Sequence, residues 1–527
     1  MSSQEPADLI LCGGTIHSAD ARDPSPQAFA VANGRFVYTG SLDGAMALRG
    51  PATMTIDASG CTILPGLVDA HLHLTGLGLK LERVILDGAR SEEEMVERVT
   101  AYARSSREEW ILGRGWDENL WPRAAFPAHQ ILSAAIDDRP VALARVDGHA
   151  LLANARALAI AKIDRATADP AGGRIVRDAR GEPTGVLIDE AQTLIYDRVP
   201  KPSHERLVAA VRAAIAECNR WGVTAVAEPG CDAAMLAAQM DLLERGEYTI
   251  RNAVMIDDDP ALIAARARIG VVEAACDGRL WVRSIKMYAD GALGSHGAAM
   301  LEPYSDDLTN SGLVLSPRAH IEEVALAALD SGFQACVHAI GDRANRMVLD
   351  VFETVRKRAG DGAARPRIEH AQIVAPQDIS RFAELGVIAS IQATHALSDM
   401  PWVPSRLGPA RLERAYPWRA LLDAGAIVAN GTDAPVESPS SARTFAASIG
   451  AHGAIDHRIT RAEALASMTS AAAYANFQDI CIGSIAPGKY ADFVVMDRDW
   501  MIAAPEDILE TTVLATYFAG RKVYGSM

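Results

Sequence analysis

Apolar and polar positions alternate in a repeating rhythm along the middle of the chain. From Ser203 to Arg220 apolar residues recur at helical spacing, with Ser203 as the candidate N-cap, and after Gly222 the run VTAVAE is typical of a buried strand. The same succession returns in QACVHAIGD followed by NRMVLDVFETVRKRAG. Repeated strand–helix alternation predicts an α/β protein with a parallel sheet, and its extent favours a closed (β/α)8 TIM barrel.

The two ends of the chain have a different pattern. Residues 1–65 and 476–527 contain short apolar runs, such as ADLILCGG, QAFAVANG and DFVVMD, bounded by Gly, Asn and Asp turns. Two β-rich ends around an alternating middle predict one small β domain built from both termini, with the barrel at residues 66–475. Residues from about 105 to 200 break the barrel rhythm with Gly, Pro, Arg and aromatic residues, and we interpret them as an insertion in an early strand–helix connection.

Composition restricts the class of protein. The length of 527 residues suits one large domain and a smaller one. The residues are 49% apolar and 22% charged, which is typical of a soluble globular chain. The net charge of −16 argues against nucleic acid or an anionic membrane as the main partner. Seven scattered cysteines without a CxxC pair indicate reduced thiols, and no leader or membrane-spanning run is evident. We therefore expect a cytoplasmic location.

A pair of histidines follows the first strand of the predicted barrel. His71 and His73 come at the end of the run ILPGLVDAHLH, directly after apolar residues. Residues i and i+2 of a strand share a face, so both imidazoles can point at one ion. A pair of this kind standing alone is more often packed or solvated than bound to a metal.

Other strand ends carry the same kind of side chain. His338 ends QACVHAIGD, His370 ends RPRIEHAQ, and Asp433 ends AIVANGTDAP. The carboxyl ends of barrel strands converge at one mouth, where catalytic groups gather. Four histidines and one aspartate at equivalent strand ends therefore predict a metal centre.

Lys286 lies at the end of another predicted strand, between the apolar residues Ile285 and Met287. A buried lysine shifts its pKa readily, and its neutral amine can take up CO2 as a carbamate, an anionic ligand able to bridge two metals. The alternative is a lysine whose stem packs while its amine reaches solvent.

These pieces together resemble the amidohydrolase superfamily, and specifically its amidohydrolase-3 branch, which includes YtcJ-like proteins and N-substituted formamide deformylases. The resemblance covers essentially the whole chain. It rests on the order and spacing of ILPGLVDAHLH, GRGWDENLWP, IKMYADGALGSHGAAM, VHAIGDRAN, IEHAQ, NGTDAPVES and GSIAPGKYADFVVMD. It implies a (β/α)8 barrel with a flanking β-sandwich made from both termini.

The resemblance also implies a binding site for a divalent metal. Zinc is the usual ion, Mn, Fe or Ni can substitute, and one or two ions per chain are compatible with the sequence. Lys286 takes the place of a bridging carboxylated lysine, and Asp433 that of an aspartate that contacts metal and handles the proton. The implied ligands are His71, His73, Lys286, His338, His370 and Asp433.

The expected reaction follows from this site. A divalent cation lowers the pKa of water from near 16 toward about 7, so that water becomes a nucleophile at neutral pH. Asp433 accepts the water proton and delivers it to the leaving amine. We expect hydrolysis of a carbon–nitrogen bond, other than a peptide bond, in a small amide, N-substituted formamide or cyclic amide. A lactone or ester hydrolase on the same site and a catalytically silent interaction protein are the alternatives, and the complete ligand set argues against the latter.

Further polar and aromatic residues near these motifs are candidates for substrate binding, although a structural role is the more common one for each. His395, at the presumed end of strand seven, and Arg343, close after His338, are the stronger candidates. The others are Trp116, His149, Asp290 and His296. The expected partner is a small-molecule substrate, and a homodimer is a reasonable expectation for a soluble enzyme of this size.

Overall fold

The computed structural model describes residues 6–360, 364–450 and 456–527. Its central element is a sheet of eight parallel strands that curls into a barrel. Each strand pairs in parallel with the next along the chain, for example Leu67 with Val223 and Tyr288 with His338. The strands are β1 Leu67–Asp69, β2 Val223–Cys231, β3 Arg251–Asp257, β4 Leu280–Tyr288, β5 Gln334–Ala339, β6 Arg367–His370, β7 Ile388–Ile391 and β8 Val428–Asn430.

The barrel is closed between its first and last strands by the chain just beyond them. The backbone N–H of Ala70, after β1, donates to the carbonyl of Asn430 at the end of β8 at 3.1 Å. A short antiparallel strand, Val272–Ala274, pairs with β4 outside the barrel. The predicted (β/α)8 architecture is thus confirmed.

Helices surround the barrel and pack on the apolar outer faces of its strands. The predicted helix cap at Ser203 is present, with its hydroxyl accepting from the Arg206 backbone N–H at 3.3 Å. The α-helices around the barrel are Leu74–Leu81, His204–Arg220, Ala233–Glu244, Pro260–Ile269, Arg318–Asp330, Asp342–Ala359, Ile379–Leu385, Ala393–Asp399, Val403–Leu407, Trp418–Asp423, Ser441–Ile449, Arg461–Ser467, Ser470–Ala475 and Pro505–Leu509.

Strands from both chain ends form two further sheets that pack face to face. Between them, Phe493 stacks on Tyr517 at 4.3 Å between ring centroids and meets Phe29 edge-on at 5.0 Å. This is the flanking β-sandwich; the domain boundaries at residues 65 and 476 stay a prediction. One sheet contains Arg35–Gly40, Ala28–Ala32, Ala7–Cys12 and Arg49–Asp57, and the other Thr15–Ile16, Thr62–Pro65, Phe493–Met496, Val513–Phe518 and Arg521–Gly525.

A separate six-stranded sheet lies between β1 and β2 along the chain and forms part of the wall above the barrel mouth. The insertion limits of 105 and 200 stay a prediction, although this sheet begins earlier, at Val84. Its strands, in spatial order, are Gly173–Arg177, Pro183–Asp189, Ala150–Ala153, Val141–Arg145, Ile111–Trp116 and Val84–Ile85, and its helices are Glu92–Ser105, His129–Ala135, Ala155–Ala161 and Thr193–Tyr196.

The described ranges contain no disulfide bond and no helix suited to spanning a membrane. All seven cysteines carry free thiols. Within those ranges, no helix combines the length and apolar character needed to cross a bilayer.

Candidate active site

The end of β1 is tied to the loop after β8 by a buried carboxylate. Oδ1 of Asp69 accepts from the backbone N–H groups of His71 and Thr432, both at 3.0 Å, and its Oδ2 accepts from the Thr432 hydroxyl at 2.6 Å. Since β1 ends at Asp69, His71 and His73 lie beyond the strand rather than on it. The predicted i, i+2 strand geometry is therefore wrong, because this carboxylate and the start of the helix Leu74–Leu81 shape the loop instead.

Two features of the loop after β8 bring Asp433 against the first histidine. A side chain at Gly431 would place its Cβ 2.4 Å from the backbone nitrogen of His71, so only glycine permits this approach. The Asp433 backbone N–H then donates to the His71 carbonyl at 2.7 Å. Asp433 and His370 both have positive φ values, 55° and 76°. Strain of about 1–3 kcal/mol per residue in this region is characteristic of functional sites.

The Asp433 carboxylate is the centre of a cluster of imidazoles. Its Oδ1 lies 3.2 Å from Nε2 of His73 and 3.5 Å from Nε2 of His71, while its Oδ2 lies 3.8 Å from Nε2 of His395. Although burial raises the pKa of Asp433, the His73 hydrogen bond and the neighbouring imidazoles hold that pKa well below its usual range. Asp433 is therefore an anion at neutral pH.

Two of the strand-end histidines are oriented by hydrogen bonds on the side away from Asp433. Nδ1 of His71 meets Oε2 of Glu369 at 2.6 Å, and Nδ1 of His370 meets Oε1 of Gln392 at 2.6 Å. These bonds leave Nε2 of each ring free to act as a ligand. The His71 and His370 ring centroids are 5.1 Å apart, and those of His370 and His338 are 4.5 Å apart. The strand ends of β5 and β6 and the loop after β1 thus meet at one point.

Lys286 reaches the same point from β4. Its side chain is buried, its Nζ lies 4.9 Å from the ring centroid of Tyr288, and among the described residues no carboxylate forms an ion pair with it. Burial lowers the pKa of Lys286, and the carboxylates of Glu369 and Asp433 offset that shift only in part. A lysine of lowered pKa has a larger neutral fraction than a solvated one.

The residues present fit a divalent cation. Nε2 of His71, of His338 and of His395 is buried and finds no hydrogen-bond partner within the described parts of the chain, which a ligated ion would remedy. Two groups of donor atoms lie within 4.8 Å of one another, His71 with His73 and Asp433, and His370 with His395 and Asp433. Imidazole nitrogens combined with carboxylate oxygens are the donor set of zinc and related ions. We call the following residues the ligand cluster: His71, His73, Lys286, His338, His370, His395 and Asp433.

A cavity of about 1140 Å³ opens at the barrel mouth above the ligand cluster. Its wall combines the cluster with residues of the six-stranded sheet and of the loops after β7 and β8. Apolar side chains such as Leu293 and Trp402 alternate there with charged ones. The volume suits a small molecule, and the position at the carboxyl ends of the strands is where barrel enzymes hold their substrates.

Comparison with known proteins identifies the family. The family model described as the amidohydrolase family, Amidohydro_3, matches residues 54–524. The chain belongs to the amidohydrolase family. The match includes the whole barrel and all residues of the ligand cluster. The predicted resemblance is thereby confirmed.

Individual relatives match this amidohydrolase over nearly its full length. It is 35% identical to the protein LONG AFTER FAR-RED 3 of Arabidopsis thaliana (98% of this chain, 92% of the other) and 30% identical to YtcJ of Bacillus subtilis, named as an amidohydrolase (98% and 99%). It is 25% identical to the N-substituted formamide deformylase of Arthrobacter pascens (97% of each chain). The crystal structure of an uncharacterised metal-dependent hydrolase from Pyrococcus horikoshii is similar, with a TM-score of 0.76, 27% identity and coverage of 94% and 99%. The amidohydrolase is thus a metal-dependent hydrolase.

Two of the six candidate substrate-binding residues lie in the cavity wall of the amidohydrolase. His395 does so, but it belongs to the helix Ala393–Asp399 rather than to the end of β7, where the sequence places it. His149 holds its Nδ1 2.7 Å from Oδ1 of Asp189, so its ring is fixed beside the cavity. Its ring centroid lies 5.5 Å from that of His338.

The other four candidates are not among the described residues that line the cavity. Trp116 is buried among apolar residues and donates its indole N–H to the Leu143 carbonyl at 2.7 Å. Arg343 is exposed on the first turn of its helix, and His296 faces Asp306 at 3.1 Å. Asp290 is fully buried, and its Oδ1 lies 3.5 Å from Nε2 of His338. Its two carboxylate oxygens accept hydrogen bonds from the backbone N–H groups of Ile340 and Gly341, in the loop after β5. Asp290 therefore lies beside the His338 ring, at the nitrogen that has no hydrogen-bond partner among the described residues.

Glu369 and Gln392 orient the rings of His71 and His370, yet neither residue stands out in the sequence as a site candidate. Glu369 directly precedes His370 in IEHAQ, at the end of β6, and both side chains lie next to His71. A charged residue inside a buried strand is a usable signal. Its partner His71, however, is 298 residues away, and nothing local indicates that pairing.

Proposed function

We propose that this amidohydrolase hydrolyses a carbon–nitrogen bond, other than a peptide bond, in a small amide, N-substituted formamide or cyclic amide. The observation that carries the proposal is the meeting of four strand-end histidines, Lys286 and Asp433 beneath one cavity. The 25% identical relative named as an N-substituted formamide deformylase supports the choice of bond.

The metal in this proposal is a divalent ion, with zinc the expected one, bound once or twice per chain. Such an ion supplies a Lewis acid that lowers the pKa of water and polarises a carbonyl oxygen. Lys286 suits a role as an N-carboxylated bridging ligand, since its amine is buried and its pKa lowered. The proposed ligands are His71, His73, Lys286, His338, His370 and Asp433.

The chain's own groups then place and move the proton. Glu369 and Gln392 fix the rings of His71 and His370, so the ligand positions are set before substrate arrives. Asp433 is anionic and lines the cavity, so its carboxylate can accept the proton of the attacking water. The same carboxyl group then delivers that proton to the leaving amine, which departs as a neutral molecule.

Paired substrates test the choice of bond. Purified protein, with its metal content measured, is assayed on N-substituted formamides, cyclic amides and the matching esters and lactones. We expect turnover of amides, loss of that turnover on incubation with a chelator, and recovery when zinc is restored.

The outcomes separate the alternatives. Turnover of esters and lactones alone would replace this proposal with a lactone or ester hydrolase. Full metal occupancy without turnover of either class would favour the interaction protein. Undiminished amide hydrolysis in a preparation free of metal would refute the proposed site.

A further inference from the structure

Two arginines in the cavity wall lack an acidic partner. Arg83 and Arg114 both line the cavity at the barrel mouth. Among the described residues, neither has a carboxylate within 4.0 Å, and the only hydrogen bond found for either guanidinium runs from Arg114 to the Val146 carbonyl at 3.0 Å. The Nε atoms of both side chains are buried, and neither has a hydrogen-bond partner among the described residues. An unpaired cation at a largely buried position is costly unless a ligand neutralises it.

The fold brings these two residues to neighbouring segments of the six-stranded sheet. The strands Val84–Ile85 and Ile111–Trp116 pair in parallel, with Ile85 opposite Arg114. Arg83 directly precedes the first of these strands, and the charge of Arg114 is close enough to affect the pKa of Arg83. Gly148 lies over the guanidinium of Arg114, since a Cβ at Gly148 would be 3.1 Å from Nη2 of that arginine. The absence of a side chain at Gly148 leaves that planar group open.

The remaining cations of the wall, outside the ligand cluster, differ from this pair because each has an acidic partner. Each of these charges therefore has a carboxylate in direct contact, whereas Arg83 and Arg114 have none among the described residues. These ion pairs are Lys80 with Asp87 at 2.8 Å, Arg443 with Glu437 at 3.7 Å, and Arg145 with Asp117, Glu118 and Asp147 at 2.6, 2.9 and 2.6 Å.

Electrostatics within the pair also favour an anion. Burial lowers the pKa of Arg83 and the charges of Arg206 and Arg114 lower it further, whereas Tyr196 and Glu82 act in the opposite direction. A guanidinium nevertheless stays protonated in proteins, so the repulsion persists until an anion lies between the two groups. A planar carboxylate can accept two parallel hydrogen bonds from one guanidinium, which is the geometry that arginine offers.

The distance from the ligand cluster indicates which part of a substrate would reach this pair. The helix Leu74–Leu81 begins directly after His73 and ends two residues before Arg83. Eight helical residues span about 12 Å. The backbone of Arg83 is therefore separated from that of His73 by about 12 Å of helix, so an anion held by Arg83 would belong to a part of the substrate other than the scissile amide.

We propose that Arg83 and Arg114 form a subsite for a carboxylate carried by the substrate at the end remote from its scissile amide. This inference rests on the proposed function for the identity of the reacting bond. It narrows the substrate class to amides that bear a terminal carboxylate.

A binding experiment tests the subsite without requiring turnover. The probes are 6-acetamidohexanoate, its neutral analogue 6-acetamidohexanamide, and acetate alone, each titrated into zinc-loaded protein by calorimetry. We expect the carboxylate probe to bind about tenfold more tightly than the amide, which corresponds to ~1.4 kcal/mol. Arg83→Gln and Arg114→Gln should each remove that preference while leaving affinity for the neutral analogue unchanged, and Arg156→Gln, an exposed control, should keep it.

Several results would overturn the subsite. The subsite is refuted if the wild type binds both amide probes with equal affinity. It is also refuted if the preference for the carboxylate probe survives both arginine substitutions, since the carboxylate would then bind at the ligand cluster. Acetate binding as tightly as 6-acetamidohexanoate, in an arginine-dependent manner, would make this a site for free anions. Arginine-dependent binding of the carboxylate probe without hydrolysis of any amide would retain the subsite and refute the proposed function.

Discussion

Replacement of Glu369 by glutamine removes one negative charge beside His71 and little else. The carboxylate is fully buried, with Oε2 2.6 Å from Nδ1 of His71 and Oε1 2.8 Å from Nε of Arg367. Glutamine has the same shape, and its amide oxygen can still accept from Nδ1. Glu369→Gln therefore isolates the effect of charge on a histidine in the ligand cluster.

We expect Glu369→Gln to lower both the affinity for metal and the stability of the fold. Loss of a carboxylate that holds a metal-ligating histidine lowers metal affinity by about 10–100-fold. The buried guanidinium of Arg367 also loses its only carboxylate partner among the described residues, although its hydrogen bonds to Asn476, Ala70 and Ser390 remain. Breaking a buried ion pair costs about 3–5 kcal/mol, and the remaining bonds place this variant near the lower value.

Two measurements separate these effects. Competition with a chromogenic chelator gives the zinc dissociation constant, and urea unfolding of the metal-free protein gives the free energy of unfolding. Glu228→Gln is a matched control, because Glu228 is also a buried glutamate of a barrel strand but accepts from Thr75, Gln239 and Asn252 instead of a histidine. It should lower stability and leave zinc affinity unchanged.

The refuting result is equally specific. If Glu369→Gln binds zinc as tightly as the wild type while Glu228→Gln loses the same stability, the carboxylate serves folding alone. The hydrogen bond between Glu369 and Nδ1 would then have no part in setting the position of the His71 ring for metal binding.

Two further predictions follow from the same site. Asp433→Asn should reduce turnover by at least about 100-fold while reducing bound zinc much less, because proton transfer contributes about 10²–10⁴-fold; unchanged turnover, with metal content measured in parallel, would remove its proton role. Stability of the metal-free protein should fall on acidification from pH 7 to 5, since burial lowers the pKa of His71 to about 4 while an unfolded histidine takes up a proton near pH 6.5. The unfolded state therefore gains protons first, and His71 contributes a loss of about 2 kcal/mol. The difference in urea midpoints between wild type and His71→Gln measures it, and an equal pH dependence in both proteins would contradict it.

The sequence determined the barrel and most of the ligand cluster. Strand–helix alternation is a local property, and polar side chains directly after apolar strands, as at His338 and His370, mark the carboxyl ends of a barrel without any knowledge of contacts. The same reasoning placed His395 at a strand end, whereas it lies on a helix. It also gave His71 and His73 a strand geometry, whereas they lie in a loop that Asp69 and Thr432 shape.

Only the tertiary structure decided which groups surround those ligands. The pairing of Glu369 with His71 and the juxtaposition of Arg83 with Arg114 depend on how far each strand is staggered against its neighbour. These arrangements arise when the barrel closes and the insertion packs over its mouth, and the first of them joins residues 298 positions apart. The sequence thus determined the periodicity and the chemical types, since those are encoded between near neighbours. Contacts between distant residues needed the closed barrel.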